Sequence, residues 1–396
     1  MITKAKQPKP YENFPLTWHA GSKQWIKKIK QRQHYFGADA DKALASYLDC
    51  RDDLHAGREP KAKQDVLTVG DLCNRFLLAR RALVASGELS PRSWAGYHET
   101  SKLIIDGLGR TRAVADLGPS DFAKLRAKLA DGRAPTTLGV HIVRTRAVLR
   151  WAYDAELVPT AVKTGRDFAP PSKATLRKAK AAKGERMYSR DDLRTIIESA
   201  DPLMRAVVLL GVNAAYGPSD CAKLPLAAVD LDGGWATYAR GKTGVARKAA
   251  LWPETTSALR AWLALRPTPA RGCEDFVFVN RLGGRLSKEV ELPDLATGGN
   301  PTGHGNGLVI KYRTLVTRLG LSGTPYDLRR TFRTVADESL DGPAIDVVMG
   351  HTDNSMGATY RQRISDDRLK RVAEFVRTWL FGDVAAVPPT QELAAV

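Results

Sequence analysis

The chain has 396 residues, enough for two to four domains, and its 43% apolar and 26% charged composition is that of a globular protein. Its longest nearly unbroken apolar stretch, residues 206–215, is interrupted by Asn213 and falls well short of the roughly 20 residues a membrane helix needs. Four cysteines stand 23, 148 and 52 positions apart, which excludes metal-ligand spacing and a disulfide framework. Behind Met1-Ile2-Thr3-Lys4 there is no apolar run, so no secretory leader is expected and the cytoplasm is the expected compartment.

The 61 Lys+Arg against 43 Asp+Glu leave a net charge of +18, of which +16 lies in the first 188 residues. A field of that sign suits a polyanion. No basic amphipathic helix with a large apolar face accompanies it, so nucleic acid is expected as the partner rather than a membrane.

In chain order, residues 1–64 read as a basic N-terminal module. Gln24–Ile29 and residues 33–37 mix apolar and basic residues over strand lengths, with Trp18, Trp25, Tyr35 and Phe36 available for a small core. A short helix is expected over 40–50. Lys27, Lys28 and Lys30 are candidates for DNA contact. Residues 65–171 carry helical periodicity. The first helix begins at Thr68-Val69-Gly70-Asp71, and three more are expected over 92–108, 119–129 and 135–157. Arg144 and Arg150 on the last of these suit DNA phosphates. Residues 172–188 follow Pro170-Pro171 with six basic residues and one acidic, and read as an exposed linker in which Lys178 and Lys180 could lie along DNA. Residues 189–382 start at an N-capping Ser189 and alternate helices with one β-segment, 235–252, split by the turn Gly241-Lys242-Thr243-Gly244. Residues 383–396 read as a disordered tail.

Three segments concentrate the chemistry: Tyr326-Asp327-Leu328-Arg329-Arg330-Thr331-Phe332, Val348-Met349-Gly350-His351-Thr352-Asp353 and Ala358-Thr359-Tyr360-Arg361. A tyrosine hydroxyl can attack a phosphodiester and store its energy as a phosphotyrosyl link. Arg329 can grip two non-bridging oxygens, His351 can hydrogen-bond phosphate or assist proton transfer, and Lys242 on a hairpin tip can protonate a departing oxygen.

Arg329, His351 at +22 and Tyr360 at +9 from it, with Lys242 upstream, resemble the tyrosine recombinases, or phage-type integrases. The likeness covers roughly 65–380. It implies a multidomain, mainly α protein with small β-sheets: an arm domain over 1–64, a four-helix SAM-like core-binding domain over 65–171 and a mixed α+β catalytic domain over 189–382. It also implies a site-specific recombinase of mobile-element type that cuts and rejoins double-stranded DNA at core and arm sites through a 3′-phosphotyrosine. It would act as a homotetramer, with neither metal nor cofactor. In such tetramers the segment after the tyrosine docks on a neighbour; packing of Asp366–Phe381 on its own domain is the alternative.

Two positions depart from the family. Tyr326 stands where His-x-x-Arg has its histidine. Gly217 stands where the first arginine is expected, in Ala215-Tyr216-Gly217-Pro218-Ser219-Asp220. Loss of one preorganised donor costs about 10²–10³ in rate. Arg240 and Lys223 are the candidate substitute cations. The competing functions are a DNA-binding protein on the same fold that has lost cleavage, and a type IB topoisomerase-like enzyme.

Overall fold

The computed structural model describes residues 8–57, 66–293, 299–303, 305–352 and 356–382, so the tail at 383–396 and Asp353 lie outside the described residues. Among the described residues the fold is mainly helical, with three small antiparallel sheets. In chain order come β1 (Thr17–His19), β2 (Gln24–Ile29), β3 (Arg32–Tyr35), α1 (Ala40–Ala56), α2 (Val69–Ala85), α3 (Pro91–Leu108), α4 (Pro119–Ala130), α5 (Pro135–Asp154) and α6 (Lys173–Ala181). Then follow α7 (Arg190–Ser199), α8 (Pro202–Asn213), α9 (Pro218–Ala222), β4 (Val229–Asp230), β5 (Trp235–Thr237), β6 (Lys248–Ala250) and α10 (Pro253–Leu265). The last elements are β7 (Ser287–Lys288), β8 (Gly305–Asn306), α11 (Gly307–Arg318), α12 (Pro325–Asp337), α13 (Gly342–Met349), α14 (Met356–Tyr360) and α15 (Asp366–Phe381). Among the described residues no helix is long and apolar enough to cross a membrane.

The chain divides into two compact units, the first comprising Met1–Phe76, Lys102–Lys128 and Thr145–Phe168. Its β1-β2-β3 sheet pairs Trp18 with Trp25 and Ile26 with Tyr35. Lys30 and Gln31 make the β2–β3 turn with φ of 46° and 71°, the left-handed pair that matches strand twist in a two-residue hairpin. Trp25 is wholly buried, edge-on to Phe14 at 4.9 Å, with Leu16, Ile29, Ala43, Tyr47 and Leu54 around it. Tyr35 is half exposed rather than part of this core, because it pairs opposite Ile26 on the edge strand β3. The helix expected over 40–50 continues to Ala56, since Leu54, two turns beyond Tyr47, also reaches the core. Farther along, Phe76 meets Trp151 edge-on at 5.5 Å and Phe122 packs on Phe168 at 5.2 Å. Helix α5 stops at Asp154, three residues before expected. Glu156 takes φ 56°, and Leu157 N–H turns back to donate to Ala152 O at 2.9 Å.

The second unit comprises Leu77–Ser101, Leu129–Arg144 and the chain from Ala169 onward. The linker expected over 172–188 contains α6, N-capped by Ser172, whose hydroxyl accepts from Thr175 N–H at 3.1 Å. No α6 residue is buried, but Tyr188 at the end of this stretch is, so the exposed segment is shorter than its charge suggests.

Helix α8 forms the axis of the large core, with ten of its twelve residues buried. Its Asn213 is held by three hydrogen bonds. Its amide donates to Ala250 O, and its Oδ1 accepts from Trp252 N–H and Thr255 Oγ1, all at 2.9 Å. One polar residue in an apolar helix thereby ties α8 to the end of β6 and the start of α10. Helix α12 crosses α8 closely at Gly211, where a Cβ would stand 2.8 Å from Leu328 Cδ1. Helix α15 packs on its own unit through Leu369, Val372, Ala373, Val376 and Leu380. Trp252 Nε1 donates to Ala373 O at 2.8 Å, and Arg377 grips Glu254 at 2.7 and 3.0 Å. Of the two arrangements expected for α15, the structure has the intramolecular one.

Candidate active site

Arg329 reaches the site because α12 begins at a strong cap. Asp327 Oδ2 accepts from both Thr324 N–H and Thr324 Oγ1 at 2.8 Å, while Leu328 and Phe332 sink into the core. The Arg329 side chain is buried. It donates through Nη1 to Ala215 O, and through Nη2 to Met349 O at 2.6 Å and to His351 Nε2 at 3.1 Å. Ala215 presents that carbonyl from a left-handed backbone, φ 54°, a conformation that costs an alanine of order 1 kcal/mol or more. Burial, then neighbouring Arg240, lowers the Arg329 pKa to about 10. It remains charged near neutrality.

His351 is set by the end of α13. Gly350 adopts φ 62°, and the N–H groups of Gly350 and His351 donate to Val347 O at 3.2 Å and Asp346 O at 3.0 Å, closing a Schellman turn. Arginine only donates, so His351 Nε2 must accept and the ring proton sits on Nδ1, facing Asp346 Oδ1 at 3.4 Å. Desolvation first, and then Arg329 and Arg240, push the His351 pKa down. The imidazole is the neutral form, with a basic nitrogen turned toward Arg329.

The β5–β6 hairpin brings cations from the other side. Trp235 pairs with Ala250 and Thr237 with Lys248, and the hairpin narrows to Arg240 N–H donating to Val245 O at 2.8 Å. Lys242 stands exposed on its tip. Arg240 is partly buried, its Nη1 3.5 Å from Gly350 O. Lys223, the other substitute considered for the missing arginine, is bound to Glu289 at 3.0 Å, with no hydrogen bond to Arg329 or His351 among the described residues.

Sequence reading missed Arg247. Its side chain is wholly buried, with Nη1 3.1 Å from Asp220 Oδ2, Nε donating to Tyr238 O at 2.9 Å, and the guanidinium 4.3 Å from the Tyr216 ring centroid. Strand alternation was the available signal. Arg247 shares inward parity with Ala249, whereas Ala246 and Lys248 face outward.

The remaining expected residues are more scattered. Tyr326 is 47% exposed with its ring under Arg330 at 5.0 Å. Tyr360, on the short α14, is 78% exposed and makes no hydrogen bond among the described residues. The structure therefore brings Arg329, His351 and Arg240 together and leaves Tyr360 free of them. Among the DNA-contact candidates, Lys28, Lys30, Lys178 and Lys180 are exposed, and Arg150 is exposed beside Asp154 at 3.5 Å. Two are already engaged. Lys27 Nζ donates to Pro15 O at 2.8 Å and lies over Tyr47, while Arg144 Nη1 donates to Gly96 O at 2.9 Å.

Residues 186–365 match the family model described as the phage integrase family. Solved structures agree in fold at low identity. A lambda integrase dimer bound to a COC′ core site is 16% identical with a TM-score of 0.54, over 89% of this chain and 96% of that one. The Tn1549 transposon integrase in complex with transposon right end DNA is 12% identical with a TM-score of 0.53, over 78% and 99%. A lambda integrase tetramer bound to a Holliday junction is 15% identical with a TM-score of 0.51, over 90% and 98%. No curated protein matches the chain.

Proposed function

We propose that this chain, whose residues 186–365 match the phage integrase family model, is a site-specific recombinase whose strand cleavage is performed by Tyr360, Arg329, His351 and Lys242. The observation that carries this reading is the buried Arg329 donating to a neutral His351, with Arg240 beside both. Two guanidinium groups next to an uncharged imidazole suit a phosphodiester: the arginines stabilise charge on its non-bridging oxygens, and as Arg329 turns its Nη2 to the phosphate, His351 Nε2 is released to act as a base.

In the proposed reaction the Tyr360 hydroxyl attacks phosphorus, the bond to the 5′ oxygen breaks, and a 3′-phosphotyrosine forms. His351 takes the phenolic proton or hydrogen-bonds the phosphate. Lys242 gives a proton to the departing 5′ oxygen. The 5′ hydroxyl of a partner strand reverses the step, so no ATP is consumed. Tyr326 can donate a hydrogen bond to phosphate through its phenol. Arg240 is the substitute cation favoured by position, since Lys223 is held by Glu289.

The same reading makes residues 1–64 an arm-site module, 65–171 a core-binding domain, 172–188 a basic linker and 189–382 the catalytic domain, assembled as a homotetramer on double-stranded DNA in the cytoplasm. The exposed Tyr360 is compatible with a nucleophile that docks when DNA binds. It is equally compatible with a DNA-binding protein that no longer cleaves. Incubation with a nicked suicide duplex and a denaturing gel separates the two. A covalent adduct that Tyr360→Phe abolishes at unchanged DNA affinity supports the recombinase; DNA binding without any adduct supports the binder.

A further inference from the structure

Gly217 leaves its turn without a cation, yet nothing in the backbone requires glycine there. Its φ of −82° and ψ of 167° are open to any residue, and a Cβ would meet only Asp220 Oδ2, at 3.4 Å. That same oxygen is 3.1 Å from Arg247 Nη1. It also accepts from Gly217 N–H at 2.9 Å. The Arg247 guanidinium thus lies within the arc that an arginine side chain at 217 would sweep, although it enters from the hairpin strand.

From this position Arg247 touches three of the segments that shape the site. It binds Asp220 in the turn whose Ala215 carbonyl holds Arg329, and it covers the Tyr216 ring. It donates to Tyr238 O in the hairpin that carries Arg240 and Lys242. Its Cγ and Cδ would lie 2.6 and 2.7 Å from a Cβ on Gly350, the residue before His351. One of its donors, Nη2, is buried without a hydrogen-bond partner among the described residues. A donor left unmatched is poor use of an arginine if packing were its only role.

We infer that Arg247 is the positioning residue that takes over the structural part of the turn's missing arginine, leaving contact with phosphate to Arg240: from the hairpin strand it holds the turn, the hairpin and the Gly350-His351 segment in register. This rests on the recombinase reading above.

The test is a relocation experiment on the full-length protein, using Arg247→Met, Gly217→Arg and the double variant. Each is measured for thermal stability, duplex affinity and the saturated single-turnover rate of cleavage on the nicked suicide duplex. Arg247→Met should lower the saturated rate by about 10²–10³ with little change in affinity. The double variant should recover at least about tenfold of that loss, because an arginine at 217 starts beside the same carboxylate oxygen. A residue that acted only by filling space would not be rescued from another position. If Arg247→Met does not fold, Arg247→Lys takes its place, and Gly217→Arg should rescue that variant as well. Wild-type cleavage by the charge-free variant, or a folded double variant no faster than its parent, overturns the inference while leaving the recombinase reading intact. A wild-type protein that binds DNA and never forms an adduct overturns both.

Discussion

Gly350→Ala offers a sharp test of the packing beneath His351. Gly350 is held at φ 62°, ψ 44°, where an added Cβ costs roughly 1–2 kcal/mol. That Cβ would stand 2.6 Å from Arg247 Cγ, 2.7 Å from its Cδ and 3.1 Å from Arg240 Cβ. Arg247 cannot swing aside without breaking its contacts to Asp220 at 3.1 Å and Tyr238 O at 2.9 Å, so the overpacking adds roughly 1–3 kcal/mol. Together these give a loss of roughly 2–5 kcal/mol, or a fall in Tm of roughly 4–20 °C for a domain of this size. Scanning calorimetry of the full chain measures it. Gly342→Ala in the same helix is the control. A Cβ there meets nothing within 4 Å, and the variant should melt like the wild type or slightly higher. A Gly350→Ala protein melting within about 2 °C of wild type would refute the description of Arg247 as pinned.

Three further outcomes are expected. Asn213→Ala strands Trp252 N–H, the Thr255 hydroxyl and Ala250 O in the core and should cost about 2–4 kcal/mol in urea unfolding; a loss under about 1 kcal/mol would contradict the hydrogen-bonding described. The depressed pKa of His351 means that below its ordinary value of 6.5 the unfolded chain takes up a proton more readily than the folded one. Stability should therefore fall as pH drops through and below 6.5, and His351→Gln should flatten that slope; an unchanged slope would show that His351 is not held neutral. Truncation after Ser365 removes five buried side chains of α15 and the Arg377–Glu254 pair, so the second unit should fail to fold; a truncated protein with the full-length melting transition would contradict the intramolecular packing.

Arg329 was legible because α12 carries strong apolar periodicity, and His351 because it follows the glycine that ends α13. Capping chemistry made the start of α7 at Ser189 equally plain. What escaped was set by tertiary contact. Nothing local in Val245-Ala246-Arg247-Lys248 says that the arginine finds a carboxylate 27 positions away, and strand parity alone marks it as inward-facing. The closure of α5 depended on Glu156 adopting a left-handed conformation, which glutamate rarely signals. Lys27 and Arg144 looked free by charge, yet each had a backbone carbonyl within reach once the fold formed.

The central claim is that Tyr360 carries the DNA during strand transfer. Mass spectrometry of peptides recovered from the suicide-duplex reaction tests it directly. A single nucleotide-bearing peptide containing Tyr360, linked through a 3′ phosphate, is expected. A linkage on any other residue, or tightly bound DNA with no linked peptide, would contradict it.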